Sequence, residues 1–160
     1  DESDQQKWER HDLQQSFVDP VRALSADYDF IVFDCPPRLS LVSFAALCAS
    51  HHVIVPLEAA DWGAQGITQV AEAVDYVRQR FNPRLALLGY LVSRFKAGRL
   101  YQKAYLQGMR EHFGAGVFDT VIADLAGFER SVTDAIPITR HDHRGRAAAI
   151  AAPTGEDVPV

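Results

Sequence analysis

Residues 29–37, Asp-Phe-Ile-Val-Phe-Asp-Cys-Pro-Pro, set one carboxylate, Asp34, at the end of a short apolar run and just before two prolines. A continuous apolar run bounded by breakers is the pattern of a strand buried on both faces of a parallel sheet. Pro36 and Pro37 cannot continue a ladder, so the spacing predicts a strand over 30–34 that leaves Asp34 at its C-terminal end. Open α/β sheets bind their ligands outside those ends. An aspartate in that place can help hold Mg²⁺ beside transferring phosphates. It can equally be a turn former or a helix cap.

A second group of residues could meet phosphate directly. Arg94, Lys96, Arg99, Lys103 and Arg110 cluster in sequence, with Tyr101 and Tyr105 between them. Cations so placed can contact a nucleic-acid backbone; they can also be the solvated face of a helix whose aromatic stripe lies in the core. Arg140, Arg144 and Arg146 carry the same two readings. His141-Asp142-His143 has two potential metal ligands but no third in reach of sequence, so a solvated loop is expected. His51 and His52 read as structural; Glu58, Asp61 and Gln65, in the loop after the second strand, read as loop polarity before a face toward a second protomer. No Ser/His/Asp arrangement is evident.

These groups need elements to position them. Leu13, Phe17, Val21 and Leu24 mark one helical face that Pro20 should break. Ser40 is placed to cap a helix over 41–49 with Leu41, Phe44, Ala45 and Leu47 as its apolar surface. Val53-Ile54-Val55 before Pro56 predicts a second strand. A helix over 64–81 carries Ile67, Val70, Val74, Val77 and Phe81 in register and ends at Asn82-Pro83. A third strand is expected over 85–93, followed by a basic loop, Arg94–Arg99. Tyr101, Tyr105, Met109 and Phe113 recur every four residues along a helix over 99–113 that Gly114 stops. A fourth strand, Val117–Ile122, precedes a helix over 127–135 showing Phe128, Val132 and Ala135 on one face. Ile136-Pro137-Ile138 reads as extended, and an alanine-rich helix covers 145–152. Strands alternating with helices predict an α/β fold with a mostly parallel sheet and flanking helices.

The chain has 160 residues, of which 48% are hydrophobic and 23% charged, enough for one domain with a real core. A net charge of −5 argues against a generally basic nucleic-acid binder but leaves room for a local basic face. No apolar run reaches transmembrane length and no signal peptide is visible. Cys35 and Cys48 lack metal-ligand spacing and read as buried, reduced core residues, which fits the cytosol. The chain opens on Asp1, and its single methionine is Met109, so it reads as a piece of something longer.

Taken in order, Tyr28–Pro37, Val53-Ile54-Val55-Pro56, Gln65-Gly66, Asn82-Pro83 with Leu88–Ser93, Phe118–Ile122, and Pro137-Ile138 through Arg144-Gly145 resemble the successive blocks of the ParA/MinD group of deviant Walker ATPases. The resemblance is closest to the chromosome- and plasmid-partitioning ParA (Soj-like) branch, covers about residues 18–150, and makes the fold P-loop NTPase-like with its N-terminal strands absent. It implies that Asp34 is the Walker B aspartate, holding Mg²⁺ through water. It puts Ser93 and Arg94, and the loop Ala123-Asp124-Leu125, beside the nucleotide base, although the group has Pro-Arg-Asn where this chain has Ala123-Asp124-Leu125. It implies nonspecific DNA contacts from Arg94, Lys96, Arg99 and Lys103.

The group's phosphate loop, Gly-Lys-Gly-Gly-x-Gly-Lys-Thr, does not occur in these residues; the three lysines are Lys7, Lys96 and Lys103, and none follows a glycine-rich run. The expectation is therefore that residues 1–152 are the C-terminal part of one ParA-like ATPase domain, with 1–12 disordered and 153–160 a tail. ATP and Mg²⁺ belong to the full-length parent, and no cofactor or ATP hydrolysis is expected of this chain alone. The same resemblance implies an ATP-sandwich dimer, a ParB-like activator, DNA as partner and a cytoplasmic, nucleoid-associated location without a membrane. Two alternatives stand beside it: a MinD-like or cargo-positioning ATPase, and a non-enzymatic binding module lacking the phosphate loop. The tail Ala147–Val160 lacks the basic, bulky-apolar pattern of a membrane-surface helix.

Overall fold

The computed structural model describes residues 11–36, 40–59, 64–141 and 145–151. Their helices are α1 (His11–Leu24), α2 (Leu41–Ala49), α3 (Ala64–Arg80), α4 (Leu100–Phe113), α5 (Ala126–Thr133), α6 (Ile138–His141) and α7 (Arg146–Ala151), and their strands β1 (His52–Glu58), β2 (Ala86–Phe95) and β3 (Val117–Ala123). The strands form one sheet in the order β1-β2-β3. β2 and β3 run parallel, with Tyr90 opposite Val117, Val92 opposite Val121 and Phe95 opposite Ala123. The architecture is α/β, a parallel sheet with flanking helices, as the alternation of periods implies. The chain divides into two compact units, one of Asp1–Val55 with Trp62–Gly89, the other of Pro56–Asp61 with Tyr90–Val160.

In the first unit the core gathers on Phe44, Val74, Val77 and Leu85, with Leu47, Cys48, Val53, Val70, Tyr76 and Phe81 packed against them. Phe44 meets Phe81 edge to face at 5.4 Å and Tyr76 at 6.0 Å, so α2 and α3 are joined through aromatic rings. The sequence dictates this arrangement locally. Ser40 caps α2, its Oγ accepting from the Ser43 amide at 3.3 Å. Asn82, just past α3, donates from Nδ2 to the carbonyls of Leu47 (3.1 Å) and Ser50 (2.6 Å), tying the end of α2 to the end of α3.

Several expectations need correction. Residues 30–34 are not a strand: 30–36 carry no ladder among the described residues, and Phe30 and Val32 stand 82% and 87% exposed. Ile31 and Phe33 are half-buried, and the Phe33 ring meets Phe17 of α1 at 5.7 Å. The side chains alternate as in a strand, but a strand exists only where a neighbour takes its amides and carbonyls. Pro20 does not break α1. Its cost is one ladder hydrogen bond, which α1 carries while packed along α2. Cys35 is exposed rather than buried, because the segment that holds it is outside the core.

In the second unit Val92, Met109 and Val117 are buried, and Tyr90 stacks on Phe113 at 4.7 Å. Gly114, at φ +52°, ends α4 and donates its amide to the Arg110 carbonyl, as expected of a glycine stop. Arg94 belongs to β2, not to the basic loop, which starts at Lys96. α5 stops at Thr133 instead of reaching 135, leaving Val132 79% exposed and Ala135 in the left-handed region at φ +53°. Ile138 opens the short α6 rather than closing an extended piece. The start expected to be disordered, residues 1–12, overlaps α1, which already holds His11 and Asp12; residues 1–10 and 152–160, which contain the rest of that start and the tail, lie outside the described residues.

Candidate functional site

Within the second unit β1 ends at Glu58, β2 at Phe95 and β3 at Ala123. Parallel strands place these three ends on one edge of the sheet, where open α/β sheets take ligands. Three of the residues singled out in the sequence meet charged partners there. The Arg94 guanidinium lies 3.0 Å from the Glu58 carboxylate. That hydrogen bond, and after it the charge of Glu58, pushes the Arg94 pKa up and keeps the group charged. The Lys96 ammonium lies 2.9 Å from Asp124 Oδ2 and holds the carboxyl below its usual range.

The backbone at this edge is equally specified. Arg94 is one of two non-glycine residues at positive φ among the described residues, at +51°. A long side chain in that region is strained, and such strain collects where surrounding contacts over-determine the backbone. Ser93 supplies part of that determination: its carbonyl accepts from the Ala59 amide at 3.4 Å and its hydroxyl donates to the Leu57 carbonyl at 3.3 Å. The Asp124 amide donates to the Phe95 carbonyl at 3.0 Å, carrying the β2–β3 contact one residue past the end of β3. Leu125 is the N-cap residue of α5; it makes no side-chain cap, and its carbonyl accepts from the Phe128 amide at 3.0 Å.

The structure thus brings Ser93, Arg94, Lys96, Ala123, Asp124 and Leu125 into one neighbourhood. Two of its members were missed as site residues. Glu58 read as loop polarity; the signal that could have found it is its place at the end of a β-branched run. Gln102 attracted no reading, yet it is 4% exposed and accepts from the Lys96 amide. Of the four cations expected to meet DNA, Arg94 and Lys96 have carboxylate partners. The Arg99 guanidinium lies 6.0 Å from the centre of the Tyr101 ring, and Lys103 lines an open groove of about 350 Å³ with Phe95, Leu106, Gln107, Arg110 and Glu111.

Asp34 lies in the other unit, exposed, between Phe33 and the exposed thiol of Cys35. Partial burial, and then the Asp34 charge, push that thiol's pKa up. Among the described residues no group of three His, Cys, Asp or Glu could hold a metal by itself. His141 Nε2 sits 2.7 Å from Asp134, which uses it structurally; Asp142, His143 and Arg144, like Asp61, lie outside the described residues. A nucleotide triphosphate needs successive backbone amides and a lysine around its phosphates. None of the three lysines follows a glycine-rich run, so these residues do not supply the phosphate side of such a site.

The family model described as an AAA domain matches residues 3–87. The chain is 29% identical over 128 residues to the "Chromosome partitioning protein ParA" of Myxococcus xanthus, covering 80% of this chain and 45% of that protein. It is 33% identical over 128 residues to the "Chromosome-partitioning ATPase Soj" of Thermus thermophilus, covering 76% and 51%. The chain spans about half the length of the curated relatives it matches. Among solved structures, cobyrinic acid a,c-diamide synthase from Mycobacterium smegmatis, with bound ATP analogue and magnesium, shares the fold with a TM-score of 0.71 at 23% identity, covering 88% of this chain and 51% of that one.

Proposed function

This chain belongs to the ParA-type family of P-loop ATPases, and on that footing we propose that it is the C-terminal part of an ATPase that partitions DNA. The observation that carries the proposal is the similarity to ParA and Soj partitioning proteins, over three quarters or more of this chain. In this reading Asp34 holds Mg²⁺ through water, and Ser93, Arg94 and the Ala123–Leu125 loop face the nucleotide base. ATP binding by the full-length protein closes a sandwich dimer, the dimer binds nonspecific DNA through Arg99 and Lys103 with the Arg94–Lys96 edge, and a ParB-like partner stimulates hydrolysis. The protein then acts in the cytoplasm on the nucleoid. Support for the base side comes from the strand-edge position of 93–94 and 123–125.

The test is ATP hydrolysis and DNA binding by the full-length protein. Asp34→Ala is expected to lower Mg²⁺-dependent turnover by roughly 10–100-fold, the range for a group acting on a metal through its outer shell. Arg99→Glu with Lys103→Glu is expected to abolish DNA binding at physiological salt and leave ATP affinity in place. Arg99→Ala with Lys103→Ala should lower the salt slope of binding by about 2, one unit per lost phosphate contact. A full-length protein that neither binds nor hydrolyses ATP would turn the assignment to a non-enzymatic binding module.

A further inference from the structure

Gln102 is a neutral polar side chain that the fold buries to 4% exposure, on the third helical position of α4. Buried amides persist where they are hydrogen-bonded, and this one is bonded to the strand edge. Its Oε1 accepts from the Lys96 amide at 2.5 Å, and its Nε2 donates to the Tyr101 hydroxyl at 3.4 Å. Lys96 is then fixed at two further points. Its carbonyl accepts from the Arg99 amide at 2.9 Å, closing the turn into α4, and its ammonium reaches Asp124 at 2.9 Å. Asp124 is fixed in turn by its own amide on the Phe95 carbonyl. A continuous chain of contacts thus runs from the body of α4 through the turn after β2 to the loop after β3, and Gln102 is its inner anchor.

We propose that Gln102 is a positioning residue for nucleotide recognition: it fixes the Lys96 turn, and through the Lys96–Asp124 pair it holds the 123–125 loop in the place where it meets the base. The proposal rests on the reading that this loop faces the base. Gln102 itself touches no ligand in this account. Its action is to remove freedom from the loop before binding, so that ordering the loop does not count against affinity. Removing its oxygen leaves the Lys96 amide without its acceptor and frees the turn that aims the ammonium.

The experiment compares two probes on the full-length protein, ATP and inorganic tripolyphosphate, which lacks base and sugar. Wild type should prefer ATP. Gln102→Leu should weaken ATP by about tenfold, the effect of one lost hydrogen bond to a positioned group, while tripolyphosphate affinity stays unchanged. Gln102→Glu, which keeps an acceptor for the Lys96 amide, should restore most of the ATP affinity. Amide exchange at Asp124 and Leu125 should quicken in Gln102→Leu. Should Gln102→Leu fail to fold, Lys96→Met keeps the aliphatic stem, removes the ion pair, and should give the same split. Equal weakening of both probes, or of neither, in a folded variant overturns the proposal. A wild type that binds ATP no better than tripolyphosphate overturns the base-side reading itself, and the proposal falls with it; an intact wild-type preference that Gln102→Leu leaves untouched overturns the proposal alone.

Discussion

At the scale of single residues, local chemistry and burial decide different things. Asp34 stands out in sequence because an apolar run and two prolines bracket it. Gln102 does not, because an isolated glutamine in a polar helix surface looks like any solvated side chain until the fold encloses it. The two cysteines divide the same way. Cys35 is exposed, whereas Cys48 packs on the aromatic core of the first unit, and burial pushes its thiol from 9.0 up to about 11. That shift makes a prediction with a fixed sign. The unfolded chain releases the Cys48 proton above pH 9.0 while the folded chain keeps it until about 11. The contribution is therefore full below the lower value and lost as pH rises between the two. The melting temperature of wild type should fall more steeply across that window than that of Cys48→Ala; parallel curves would show that the thiol titrates alike in both states.

At the scale of elements, periodicity located the three strands of the sheet and each described helix except the short α6, and caps set several of their ends. Ser40 could be read as an N-cap from its place before an apolar run, and its oxygen does cap α2. The end of α5 departs from its apolar spacing. The apolar spacing of Phe128, Val132 and Ala135 continues past the point where the backbone turns back. There the Ala135 amide bonds the Val132 carbonyl at 3.1 Å and the Ile136 amide bonds the Ser131 carbonyl at 3.0 Å, the paired bonds of a Schellman stop. Such a stop needs a left-handed residue, usually glycine, and here alanine fills it at φ +53°. Ala135→Gly should accordingly raise stability by about 1 kcal/mol, the cost of a Cβ in that conformation. Urea denaturation of the two proteins measures it; a loss of stability would mean that glycine's extra freedom in the unfolded chain outweighs the relieved strain.

At the scale of the whole molecule, the described residues present a sheet of three strands, and the chain spans about half the length of its curated relatives. Its largest exposed apolar side chains include Tyr28, Phe30 and Val32, at 61%, 82% and 87% exposure, on alternate positions of the segment before Asp34. Soluble surfaces rarely leave such a row bare. An unpaired backbone beside it also invites association. The 160-residue chain should therefore self-associate in sedimentation experiments at micromolar concentration. Phe30→Glu with Val32→Glu should reduce that association while changing folded stability by no more than about 0.5 kcal/mol each, as surface substitutions do. An unchanged size distribution would place the association elsewhere.

The sequence by itself determined the α/β class, the order and type of most elements, the family, and Asp34 as a carboxylate at a break in the chain. These follow from local rules: hydrophobic period, breakers, caps and ordered motifs act over a few residues and can be read in a line. Only the tertiary structure decided that 30–34 makes no ladder, that Arg94 and Lys96 carry Glu58 and Asp124 as counter-charges, and that Gln102 is buried against the Lys96 turn. The two ion pairs depend on which strand ends meet across 28 and 36 residues of chain, and the missing ladder and the burial of Gln102 on what packs around them; no local period encodes either.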